Sequence, residues 1–169
     1  MRIGKISLWV CAGLLFLAAS ASAAEKASRS CTKEDLIGVW EMTSVKPVFD
    51  KSDPVFYPHQ KFVFNKDSSM KFITSEKPIT KEWQDKFNKQ PTEIDYTLSN
   101  KGLLTLTWQS RPHNEQAICA YVLNDVPQDI LAKIPAEERS GLPKKGNVTL
   151  SYLSREGKIA YQKILKEVA

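Results

Sequence analysis

Residues 93–109 read Glu93-Ile94-Asp95-Tyr96-Thr97-Leu98-Ser99-Asn100-Lys101-Gly102-Leu103-Leu104-Thr105-Leu106-Thr107-Trp108-Gln109. Ile94, Tyr96 and Leu98 alternate with Asp95 and Thr97, and Leu104, Leu106 and Trp108 alternate with Thr105 and Thr107. A period of two places every second side chain on one face, which is the pattern of a half-buried strand. Asn100-Lys101-Gly102 supplies a connection with a glycine free to take a positive φ, so the two runs read as a hairpin. Each strand has one apolar face to cover, and the rest of the chain offers more of the same.

Upstream, a first strand passes through Trp40, Met42 and Ser44, on one face, to about residue 46. Residues 60–66 carry Phe62 and Phe64 on one face; Asp67-Ser68 turns the chain, and 69–75 returns with Met70 and Phe72. Downstream, 116–124 is more uniformly apolar, and 147–155 presents Val148, Leu150 and Tyr152. Glu156-Gly157 then turns into 158–167, with Ile159, Tyr161 and Leu165. Two excursions look helical: 80–89, with Trp83 and Phe87, and 127–134, which leads into a Lys- and Glu-rich loop with Pro135, Gly141 and Pro143. Residues 25–30 are polar and read as loose, and Thr32 with Asp35 three positions on matches a capping box for a short turn.

Eight strands joined mostly by short turns imply an all-β protein built as an antiparallel meander. Closing it into an eight-stranded up-and-down barrel, with one or two short helices in the connections, removes the exposed edges. A two-sheet sandwich also satisfies the alternation, and the hairpin-like connections favour the barrel.

The chain begins with positive charge in Arg2 and Lys5, an apolar run over 8–19, and the small residues Ser20-Ala21-Ser22-Ala23-Ala24. That is the layout of a secretory signal cleaved after Ala23, giving 1–23 as signal peptide and 24–169 as one domain. The alternative is an N-terminal anchor; a membrane span needs roughly 17–25 apolar residues, more than this run holds. Export to a periplasmic or secreted location is expected, with no stable membrane span after cleavage. The 146 residues remaining of 169 suffice for a single core. The formal charge of +5 falls to +3 once Arg2 and Lys5 are removed. The remaining lysines are scattered among acids, which argues against nucleic acid as a partner.

Losing Cys11 with the signal leaves Cys31 and Cys119. In an oxidising compartment an even count favours a disulfide, with two free buried thiols as the alternative. His59 and His113 lie far apart in loops without a neighbouring acid motif, so neither a metal site nor a catalytic triad is indicated. No phosphate loop or cofactor motif appears, and the chain reads as a non-enzyme with no cofactor. Asn147-Val148-Thr149 matches a glycosylation acceptor at a strand start.

Leu36-Ile37-Gly38-Val39-Trp40 contains the Gly-x-Trp pattern that lipocalins carry on their first strand. With the turn at Thr32 to Asp35 before it and the long segment 47–59 after that strand, the chain resembles a bacterial lipocalin-like or broader calycin-type protein. The resemblance spans the mature chain in strand number and rests, in residues, on Gly38-Val39-Trp40. It implies that Gly38 and Trp40 are structural, with Trp40 closing the barrel bottom, and that 47–59 folds over the mouth. With the apolar faces inward, Met42, Phe62, Phe64, Phe72, Tyr96, Trp108, Tyr152 and Tyr161 would line the interior. Such a lining suits a small hydrophobic molecule. The same residues can instead fill the barrel solidly, since eight strands enclose barely more than their own side chains. Two functions follow: a carrier of a small hydrophobic ligand, or a periplasmic interaction or inhibitor module using the loops 47–59 and 127–146. The protein partner in the second case is not defined.

Overall fold

The structure, a computed structural model, describes residues 27–110 and 114–168. The expected signal segment 1–23 and His113 lie outside the described residues. Eight strands form a closed antiparallel barrel: β2 (Gly38–Lys46), β3 (His59–Phe64), β4 (Ser69–Ser75), β5 (Ile94–Leu98), β6 (Leu103–Trp108), β7 (Asn114–Val122), β8 (Val148–Leu153) and β9 (Ile159–Val168). Each pairs with its neighbour in sequence, and β9 returns to pair with β2, which closes the ring. No two-sheet sandwich is formed. A short strand β1 (Ser28–Ser30) joins the same edge of β7 that β6 uses, beyond the end of β6, where the sequence had suggested a loose segment. It has no alternating apolar face; it is held by its pairing of Ser28, Arg29 and Ser30 with β7 and by the Cys31–Cys119 disulfide that follows.

Among the described residues the four helices are short: α1 (Lys33–Leu36), α2 (Lys81–Asn88), α3 (Gln128–Leu131) and α4 (Ala136–Arg139). The excursion read as helical over 127–134 holds only the single turn α3, and a second turn, α4, with Pro135 as its N-cap, forms in the stretch read as a loop. In α1 the capping box is complete: the Asp35 amide donates to Thr32 Oγ1, and the Thr32 amide donates to Asp35 Oδ2 at 2.7 Å. This turn delivers Leu36, fully buried, beneath the barrel, and the Trp40 indole donates to the Leu36 carbonyl at 2.7 Å. Trp40 is 2% exposed and seals that end. Gly38 takes φ +144°, and a Cβ there would come within 3.3 Å of Glu167 Oε1, so the position is built for glycine.

Two β-bulges correct the simple alternation. Met42 pairs with Leu165 and Ser44 with Ile164, so Thr43 is an extra residue and Ser44 leaves the face it was expected to share with Trp40 and Met42. Likewise Tyr152 pairs with Tyr161 while Leu153 pairs with Ile159, so Ala160 is extra. Ile159 is thereby turned outward and is 62% exposed, rather than inward with Tyr161 and Leu165.

Candidate functional site: a caged lysine inside the barrel

Trp40, Leu36, Phe64, Tyr96 and Leu104 fill the lower barrel. Phe64 and Tyr96 meet edge to face at 5.2 Å, and the Tyr96 hydroxyl donates to the Asn65 carbonyl at 2.9 Å. Above this floor the barrel is not filled. A cavity of about 390 Å³ remains, lined by Phe62, Met70, Phe72, Leu106, Trp108, Tyr152 and Tyr161 with the polar groups Thr74, Glu115, Lys163 and Asp53. Of the eight residues expected around a ligand, Phe62, Phe72, Trp108, Tyr152 and Tyr161 line this space. Phe64 and Tyr96 belong to the floor, and Met42 is half-buried against the core outside the cavity lining.

The mouth is covered by segment 47–58, which contains a 3-10 turn at Pro54–Phe56. Asp53 caps it by accepting from the Val55 amide at 2.9 Å. Three contacts fasten the turn to the barrel. Phe56 packs edge-on against Tyr161 at 5.3 Å, the Thr74 hydroxyl donates to the Pro54 carbonyl at 2.6 Å, and the Gln60 amide donates to the Val55 and Tyr57 carbonyls, each at 2.8 Å.

Lys163, on β9, was not among the expected site residues, yet it is 2% exposed and lines the cavity. Its Nζ donates to Gln60 Oε1 at 2.7 Å, which commits every hydrogen-bonding atom of that amide to the site. Four rings surround the ammonium, with Nζ 5.2 to 5.6 Å from the centroids of Phe72, Tyr152, Phe62 and Tyr161. All four lie within the roughly 6 Å over which a ring face attracts a cation. Tyr152 and Tyr161 stack on each other at 4.7 Å, and Phe62 and Phe72 pack at 4.9 Å, so the cage is two ring pairs. Burial pulls the Lys163 ammonium down to about 8, against a weaker opposing pull from Glu115 and Asp53. The same burial pushes the Tyr152 and Tyr161 hydroxyls up, so they remain neutral donors. The signal for Lys163 lay in its parity, since it shares a face with Tyr161 and Leu165. Glu115 likewise alternates with the buried Ala117 and Cys119.

At the opposite end, Cys31 and Cys119 form a disulfide with Cα atoms 5.5 Å apart. Gly102, with φ +78°, sits beside it: a Cβ there would lie 2.6 Å from the Cys119 carbonyl oxygen. Asn147 is 8% exposed and its Oδ1 accepts from the Lys144 amide, so the acceptor motif at 147–149 is engaged in holding a loop. Among the described residues no group of three or more His, Cys, Asp or Glu stands close enough to hold a metal ion, and no helix is long and apolar enough to cross a membrane.

Fold and site together define a class: a closed eight-stranded up-and-down barrel, compatible with a lipocalin-like architecture, with an interior cavity and a disulfide at its base. Compared with models of protein families, with curated proteins and with solved structures, the chain has no match.

Proposed function

We propose that this chain is an exported, lipocalin-like binding protein that carries a small, mainly apolar molecule in its barrel, without performing catalysis. The observation that carries this is the aromatic cavity of about 390 Å³ above the packed floor. It falls toward the lower end of the roughly 300–1,000 Å³ of ligand pockets. Apolar walls with a few inward polar groups are the composition such pockets use to gain affinity and orientation at once. Export is supported by the signal-like start of the chain and by the disulfide, which suits an oxidising compartment.

A second reading has its own observation. On the mouth segment Phe49 is 68% and Val48 43% exposed, which suits contact with a protein partner. Native mass spectrometry on protein purified from its own host separates the two. A retained small molecule, released on denaturation, is the expected result. An empty barrel with a co-purifying protein would overturn the carrier reading in favour of the interaction module.

A further inference from the structure

We propose that Lys163 is the recognition centre of the cavity and that the molecule it receives is a monocarboxylate on an apolar body. This rests on the carrier reading above and specifies its ligand.

An ammonium has three N–H donors and no acceptor. Among the described residues Gln60 Oε1 accepts one of them, and no carboxylate oxygen stands within salt-bridging distance of Nζ. Gln60 cannot become a counter-charge, and its own Nε2 is committed to the Val55 and Tyr57 carbonyls. The rings offset part of the desolvation, but a buried cation without an anion remains costly. The open side of this cation is the cavity. A carboxylate placed there accepts the remaining donors in charge-assisted bonds, the strong kind. Its apolar body then lies against Met70, Phe72, Leu106 and Trp108.

The other charged groups decide the number of charges. Glu115 on β7 and Asp53 on the mouth segment both line the same cavity. One anionic group answers Lys163; a second would face these two acids with no cation of its own. A dianion such as a phosphate monoester is therefore disfavoured.

The test pairs benzoate, naphthoate, decanoate and tetradecanoate with their neutral primary amides, each titrated calorimetrically into the full protein at neutral pH. At least one acid should bind about tenfold or more tighter than its amide, the worth of one charge-assisted hydrogen bond. Lys163→Met should erase that preference while leaving the amide bound. In the wild type the acid should weaken as pH rises through about 8, where Lys163 loses its proton. The groups facing Nζ are Gln60 and Phe62 on β3, Phe72 on β4, Tyr152 on β8 and Tyr161 on β9, with Glu115 and Asp53 acting at longer range. The raised Tyr152 and Tyr161 do not titrate in that range. Acids and amides binding the wild type equally would overturn this proposal and leave the carrier reading intact. Failure of every probe in both forms would overturn this proposal as well, while the carrier reading stands or falls with the native mass spectrum.

Discussion

At the scale of the residue, Lys163 makes its presence felt in the pH dependence of folding. In the unfolded chain its ammonium keeps its proton to near 10.5, whereas in the barrel burial lowers that point to about 8. Between these values the unfolded chain binds more protons, so stability rises with pH, and the gain can reach about 3 kcal/mol. Below about 8 both states are charged and the full cost of burying the ammonium is present. Tyr152 and Tyr161 act with the opposite sign. Their hydroxyls are raised, so above about 10 the unfolded chain loses these protons first and stability falls. Urea unfolding across this range should therefore show a wild-type maximum between about 8 and 10, with Lys163→Met flat over the same interval. Identical curves for the two proteins would mean that the ammonium is not desolvated. The five aromatic residues that line the cavity were readable from strand alternation. Lys163, Gln60 and Glu115 were not, because a polar side chain on an inward parity is normally assigned to the surface, and only three-dimensional enclosure distinguishes the two.

At the scale of the element, the base of the barrel depends on a segment with little intrinsic preference for order. β1 contributes three polar residues, and its attachment is reinforced by Arg29, which pairs with Asp35 and lies 4.9 Å from the Tyr121 ring centroid. The disulfide then ties Cys31 to β7 across 88 positions. In the chain-entropy account a loop of that length contributes about 4–5 kcal/mol by restricting the unfolded chain. Cys31→Ser with Cys119→Ser should accordingly lower the melting temperature by about ten to twenty degrees. The drop follows from a shift of about 4–8 °C per kcal/mol for small domains and about 2–4 °C for larger ones. An unchanged calorimetric transition would show that the bridge adds nothing. All eight barrel strands were visible in the sequence, seven through an apolar face at period two and β7 through a more uniformly apolar run. β1 was not, because its order comes from partners far along the chain. The bulges at Thr43 and Ala160 were hidden as well, because one inserted residue changes which face each flanking side chain occupies without interrupting the run of strand-forming residues.

At the scale of the whole molecule, closure leaves the barrel with one seam weaker than the rest. β2 and β9 pair over seven positions from Val39 to Lys46, and β8 with β9 over six. Between β4 and β5 only Ser69 with Asp95 and Met70 with Ile94 are paired. Above Met70 the two strands part, and the excursion that carries α2 fills the space outside, held by Lys71 Nζ donating to the Asn88 carbonyl at 2.7 Å. Phe72 and Trp108 line both the cavity and a groove with Phe87 and Pro91 outside it. Cooperative units open first where paired backbone is scarce and solvent-facing. Hydrogen exchange should therefore show β4 amides beyond Met70 exchanging through local opening, while β2, β8 and β9 exchange only with global unfolding. Entry of a ligand through this seam would leave the capped mouth in place. Ligand should then slow exchange most at this seam, because Phe72 and Trp108 would be held from both sides. Protection of upper β4 equal to that of β2 and β9 in the free protein would place the weak point elsewhere and leave entry to the 47–58 segment.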